Sequence, residues 1–583
     1  MTPISAMPGS ENVAPRRRRA VNLGALLTEA LANAGHWVRN AFSRRSPGPE
    51  FVHLEIAGHL PERRRRPEGW RDWLRYRFRQ PRESLEEWRE RLGLLAGDPY
   101  VKGVVITVGD VEAGRAALES LRLSLLAFRR SGKRLVAFIV SANLSTYYVA
   151  SAADTILAPE SLELALHGLR TESTFLRTPL DQLGIEPQFL HIAEYKSAAN
   201  RFLYPSMPPT QREMLTSLLE STFEEITEGI TEARQIPVDA VRQAIDQGLL
   251  SAAEAQERRL LDAVGFADEL PARLGQPGQP VRIVPWGQAR RHVFHPYHWR
   301  ALERQAIAVV QLLGTIVPGE SRDLPIPLPL LGQQLAGHET VAQAFRRAES
   351  SPRVKAIVFH VDSPGGSAIA SDLIWREVGR IQQHKPVVVY MGNVAASGGY
   401  YVACGARHIV ANATTLTGSI GVIAGKINLR GLFEKAGIRR ELVSLGATAD
   451  MPSAFASYSD AEWALLRRWM DEVYQRFKSR VAAGRGRSLA AIEEVARGRV
   501  WTGRQALGLG LIDEVGDFES AIRKAKELAG IPLQADVPVM TVRGTKTRTW
   551  PSTAAAWGDL LHTLGRPWTE HALVLMPTDM PRG

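Results

Sequence analysis

Apolar positions in this chain fall into short continuous runs separated by helical patterns. VKGVVITV from Val101 and RLVAFIV from Arg134 carry the β-branched content of buried strands, with a helical segment between them. The same order returns in VKAIVFHV from Val354 and KPVVVYM from Lys385. AIAVVQLLGTIVPG, starting at Ala306, likewise restarts the pattern of FVHLEIAGHL at Phe51. Between the copies the register is a constant 253 residues (101 to 354, 142 to 395), so ANLSTYYVASAADTILA lies over AASGGYYVACGARHIVA. A period this long means two tandem domains rather than a solenoid, and strands alternating with helices predict an α/β fold in each.

The pattern divides the chain into a basic amphipathic arm over 1–50, a first domain over 51–275 and a linker over 276–304. A second domain over 305–540 and a tail over 541–583 follow. The linker is assigned from the Gly and Pro punctuation of GQPGQPVRIVPWGQARRHVFHPYHW. In the arm, Leu23, Leu26, Leu27, Ala30, Leu31, Ala34 and Val38 recur at helical spacing between arginine runs. Such a helix either lies on an anionic membrane surface or packs on the protein's own body. Interruptions at Thr28, Glu29, Asn33, His36 and Arg39 argue against a signal peptide, and no run reaches transmembrane length. The reading is therefore peripheral membrane contact or a cytoplasmic location.

Composition adds one useful asymmetry. The net charge is +11, and only 11 of the 72 basic residues are lysine. A single cysteine, Cys404, sits in an apolar run and reads as core, excluding an intrachain disulfide. Trp70, Trp73, Leu74 and Phe78, interleaved with arginine between Arg63 and Arg91, could stack on bases, sit at a lipid interface or pack inward. No nucleic-acid module accompanies them, so no nucleic acid is expected.

The two copies act as a controlled comparison. In the second, the strand from Val354 runs into DSPGGS, Asp362 to Ser367; Gly365 and Gly366 allow positive φ and close backbone approach. The first copy has Gly109-Asp110-Val111-Glu112-Ala113 there, whose carboxylates would repel an oxyanion. Ser397 stands at a strand-to-helix transition between Ala396 and Gly398, and Leu144 replaces it in the first copy. Gly398 and Gly366 N–H groups could form the donor pair that acyl transfer requires. Position 395 is Ala, so this is not the α/β-hydrolase elbow; the plain alternative is a helix cap. A serine nucleophile needs a base, and His360, His384 and His408 lie in no orienting motif. Lys196, the one lysine between Lys133 and Lys355, aligns with Ala449. Lysine can lose its proton when desolvated and arginine cannot, which makes Lys196 the candidate general base. One copy thus holds the serine and the other the lysine. Whether they meet within one chain or between chains stays open.

EYKSAANRF, DSPGGS, AASGGYYVAC and LTGSIGV together resemble the S49 serine peptidases, and the two-copy length resembles the long-form signal peptide peptidases of that family. The likeness covers roughly Phe51 to Val539. It implies two tandem ClpP/crotonase-like domains, cleavage of released signal peptides at the bacterial inner membrane, Ser397 as nucleophile and Lys196 as general base. It also implies Ser419 as the residue orienting the lysine, and assembly as a homo-oligomer, a tetramer by resemblance. An extended hydrophobic peptide would lie along Asp362, Ser363, Pro364 and Gly365. No cofactor and no metal are implied. The long forms carry an N-terminal membrane span that this sequence does not show. Two other readings stay beside this one: a crotonase-type acyl-thioester enzyme, and a membrane-surface scaffold with a relic site.

Overall fold

The computed structural model describes residues 23–43, 48–64, 83–295, 297, 305–328, 332–544 and 573–575. Each half builds a parallel sheet from the apolar runs. In the first the order is Ile283–Pro285, Phe51–His59, Gly103–Glu112, Arg134–Phe138, Thr155–Ala158 and Ala263–Val264, every pairing parallel. In the second it is Val500–Thr502, Leu416–Gly418, Val387–Ala396, Val354–Ser363, Ala306–Leu313 and Val539–Thr541. Helices cover both sheets, as continuous apolar strands require. The register between the copies persists in three dimensions: strands Thr155–Ala158 and His408–Ala411, and Glu163–Ala165 and Leu416–Gly418, each lie 253 residues apart (155 to 408, 163 to 416). This is the duplicated α/β, ClpP-like fold.

The stretch 276–304 differs from a bare linker. Ile283–Pro285 pairs with the edge strand Phe51–His59, and Val284, Ala289 and Val293 are buried in the first core. Here proline bounds a short strand instead of marking the absence of one. The tail differs as well: Val542 N donates to Val309 O, and Leu573–Leu575 forms a strand in a third sheet. In the arm, Leu23–Ser43 is helical, as the spacing predicts. It turns polar Asn33 and Asn40 inward and leaves Leu27, Leu31, Trp37 and Val38 exposed. Asn40 exchanges hydrogen bonds with the backbone of His295. No helix among the described residues is long and apolar enough to cross a membrane. Trp70, Trp73, Leu74 and Phe78 lie outside the described residues. The flanking Arg63 and Arg89 pair with Glu86 and Glu62 and lie over the Phe518 ring.

What positions the site is the third sheet, because it crosses the duplication. Its order is Arg322–Leu328, Gly332–Gly337, Thr315–Val317, Gly365–Ser367, Leu573–Leu575, Val422–Asn428 and Glu186–Ile192. The last strand belongs to the first half and runs antiparallel along Val422–Asn428 of the second, from Ile192 beside Val422 to Glu186 beside Asn428. Glu119 adds a buried anchor on helix Arg115–Arg129. Its carboxylate accepts from Ala413 N (2.9 Å), Thr414 N (3.0 Å) and Thr414 Oγ1 (2.8 Å), and burial pushes its pKa up to about 7. Met214, Leu215 and Leu218 of the first half close a small apolar cluster with Ala396, Leu416 and Val500 of the second.

Candidate active site

Strand Val387–Ala396 delivers Ser397 at its end, and helix Gly398–Ala403 starts immediately after it. Ser397 has φ 56° and ψ −116°, a region that side-chain-bearing residues rarely occupy. The strain is held by its own backbone: Ser397 N donates to Gly418 O (2.8 Å), and Ser397 O accepts from Tyr401 N (2.8 Å). Strained backbone at a fixed position is common where a side chain must be aimed. Its hydroxyl makes no capping bond to the helix, so the cap alternative is not what the chain adopts. In the first half the equivalent turn is an ordinary capping box, with Asn143 and Thr146 closing helix Leu144–Ala150 and Leu144 buried in the core.

Lys196 arrives from the other half, four residues beyond the strand Glu186–Ile192 that runs along the second half. Its Nζ lies 2.6 Å from Ser397 Oγ, 2.8 Å from Ser419 O and 3.0 Å from Ser419 Oγ. All three residues are fully buried, and the contacts form within one chain. Burial holds the Lys196 amine well below the usual lysine range, and no neighbouring charge enters as a cause. That separates it from two other poorly exposed lysines. Lys426 donates to Met451 O and lies over the Tyr458 ring, while Lys478 pairs with Glu493. A neutral Lys196 can donate its two N–H groups to Ser419 and keep its lone pair for the Ser397 proton. Ser419, at φ 53°, is also fixed by its backbone, with its N–H donating to Arg499 O (2.7 Å).

The glycines around the pair are required by space. A Cβ on Gly366 (φ 154°) would stand 2.1 Å from Ile316 O, because strand Gly365–Ser367 pairs closely with Thr315–Val317. One on Gly398 would come within 2.7 Å of Ser371 Oγ and 3.1 Å of Gly366 N. Bare Cα atoms at 366 and 398 thus leave an opening onto the amide of Gly366, beside the Ser397 hydroxyl.

Asp362 and Ser363 turn inward to support this cradle. Asp362 accepts from Val394 N (3.1 Å) and Asn393 Nδ2 (3.3 Å), and burial pushes its carboxyl up to about 6. Ser363 Oγ accepts from Gly365 N (3.1 Å). Pro364 and Gly365 carry the chain to the open edge, where Leu573–Leu575 lies antiparallel, Gly366 opposite Val574 and Ser367 opposite Leu573. The same strand touches Val422–Asn428 through Ile423. The three histidines have other surroundings. His360 is buried against Tyr390 and Phe518 with its pKa lowered to about 3, His384 bonds Glu349, and His408 bonds Glu514. Cys404 is buried, and its thiol is pushed up to about 12.

Sequence reasoning missed Gly421 and Gly498. A Cβ on Gly421 would meet Lys196 Cδ at 3.2 Å, and one on Gly498 (φ 77°) would meet Lys196 N at 2.6 Å. They form the slot for the lysine stem. Gly421 was legible in GSIGV as a second small residue after Ser419; nothing local to Gly498 marks it, since its partner lies in the other half.

The profile of peptidase family S49 matches the chain twice, over residues 127–279 and 380–532. Over 483 residues the chain is 33% identical to the chloroplastic serine protease SPPA of Arabidopsis thaliana, covering 82% of this chain and 70% of that one. It is 31% identical over 452 residues to Protease 4 of Haemophilus influenzae, covering 74% and 71%. A solved ClpP1 mutant from Listeria monocytogenes is similar at 14% identity and TM-score 0.23, over 37% of this chain and 94% of that one.

Proposed function

The chain belongs to peptidase family S49, and from that premise we propose that it is a serine endopeptidase working through a Ser397–Lys196 dyad on extended hydrophobic peptides, released signal peptides among them. The observation that carries the reading is the 2.6 Å approach of a buried, charge-isolated amine to a serine hydroxyl held at positive φ. Lys196 takes the Ser397 proton as Oγ attacks the scissile carbonyl. The N–H groups of Gly366 and Gly398 receive the oxyanion. Lys196 then protonates the leaving amine as the C–N bond breaks, leaving an acyl ester on Ser397. A water gives its proton to Lys196 and attacks the ester, and Ser397 leaves with that proton. Ser419 is the positioning residue for the amine.

The substrate path takes support from the strand Leu573–Leu575. It occupies the edge that an extended peptide would use, antiparallel to Gly365–Ser367, next to the serine. Main-chain pairing at such an edge binds many sequences alike. A chain ending before His571 is therefore expected to show a lower KM for apolar peptides at unchanged kcat, read by steady-state kinetics. An unchanged KM would place substrate elsewhere.

The reading is tested by turnover of a peptide thioester, with a serine-reactive probe followed by intact mass. Wild type is expected to turn over and gain one label, and Ser397→Ala to do neither. A folded wild type that neither turns over nor labels would return the scaffold reading, and turnover confined to acyl-CoA thioesters the crotonase reading.

A further inference from the structure

The duplication leaves each half with two docking surfaces, and the fold of one chain uses only one of each. The first half meets the second through strand Glu186–Ile192 and one face of helix Arg115–Arg129. The second half receives it on strand Val422–Asn428, on Asn393 and on the edge strand holding Val500. The equivalents of the first set on the second half, and of the second set on the first half, stand open.

We propose that these two open surfaces join successive copies of the chain head to tail. The register makes the equivalence residue by residue. Ser120, bonded to Tyr390 and Asn412 of the other half, corresponds to Leu373, and Ala116 one turn earlier corresponds to Ile369. Leu373 and Ile369 are 47% and 45% exposed. Strand Glu186–Ile192 corresponds to 439–445, which lies outside every strand and helix of the described residues. Within it Leu442 is half exposed, and Val443 and Leu445 are fully exposed. On the opposite surface, Asn393 corresponds to Val140, which is exposed. Past helices Pro209–Arg234 and Asp460–Arg485 the shift is 251 residues (209 to 460), so buried Val500 corresponds to exposed Leu249.

Exposed apolar residues on a folded chain usually mark an interface, and here the duplicate junction identifies the occupant as a second copy. The polar bonds inside the chain are replaced by apolar pairs at the open surfaces, since Val140 of one copy would face Ile369 and Ala370 of the next where Asn393 meets Ala117. The intrachain ladder, with Val422 beside Ile192 and Ala424 beside Leu190, translates to Leu169 beside Leu445 and Thr171 beside Val443. It stops there. Gly425, where a Cβ would stand 2.1 Å from Gln188 O, corresponds to Glu172. A contact between two different surfaces repeats, and when the rotation closes it makes a ring. At the junction between copies, Leu144 and Ala449 replace Ser397 and Lys196, so each chain carries one dyad and the subunit boundary carries none.

This inference rests on the duplication and not on the peptidase reading. Light scattering on the full chain is expected to give a closed multiple of 64.3 kDa. Val443→Asp with Leu445→Asp should yield a monomer with the wild-type melting temperature, because both side chains are already in solvent, and it should keep its serine-probe label. Leu169→Cys with Leu445→Cys should give a ladder of covalent multiples under oxidation, which neither single variant gives. A monomeric wild type, an assembly that survives the double aspartate, or an intact assembly without the ladder would each overturn the proposal. Loss of labelling in the wild type would instead count against the peptidase reading and leave the sizing result standing.

Discussion

Lys196→Met is expected to lower kcat/KM by a factor on the order of 10⁴ or more, since it removes the sole proton acceptor within reach of Ser397 Oγ. Methionine keeps the apolar stem in the slot formed by Gly421 and Gly498, so the fold should be retained. The wild-type rate should rise with pH through the depressed lysine pKa, because only the neutral amine accepts the serine proton. A rate flat from about pH 5 to 9 would exclude Lys196 as the base. Stability carries a second signature of the same group. In the unfolded chain the amine titrates near its ordinary value of about 10.4. Between that pH and the lower folded pKa, the unfolded state holds one more proton, so the wild type loses stability as pH falls through the window. Below the folded pKa the cost is constant. Each pH unit of the window is worth ~1.4 kcal/mol. The melting temperature of Lys196→Met relative to wild type should therefore climb as the pH is lowered from 10 toward neutral. A difference independent of pH would mean that the lysine stays protonated in the fold.

Gly398→Ala is expected to cut kcat by about 10²–10³-fold, the usual cost of one lost oxyanion donor, with KM little changed. The added methyl would stand 3.1 Å from Gly366 N, in the space assigned to the substrate oxyanion, and 2.7 Å from Ser371 Oγ. The second contact is with a side chain whose hydroxyl bonds Ser367 O and can be removed separately. Gly398→Ala combined with Ser371→Ala relieves the crowding at Oγ and leaves the methyl over the Gly366 amide. If the double variant regains wild-type kcat, the loss came from packing and the oxyanion role falls. If it stays slow, the amide itself is what the methyl obstructs.

Much of this protein was legible in one dimension because its halves annotate each other. The constant register fixed the duplication, and β-branched runs at Val101, Arg134, Val354 and Lys385 placed the central strands, since a strand buried on both faces must be continuously apolar. The exchange of Ser397 for Leu144 and of Lys196 for Ala449 marked the two candidate residues before any fold was known. Sequence spacing, however, only names types. The distance of 2.6 Å between residues 201 positions apart follows from strand Glu186–Ile192 lying along Val422–Asn428, a pairing between halves that no local pattern encodes. The positive φ of Ser397 and the slot between Gly421 and Gly498 belong to that same level. So does the inward turn of Asp362 and Ser363, which sequence alone set along the peptide path. The linker was misjudged for a related reason: Gly and Pro mark where a chain turns, and only the edge of the neighbouring sheet decides that Ile283–Pro285 becomes a strand. Local chemistry chose the residues, and the desolvation that makes a lysine a base exists only once both halves have closed over it.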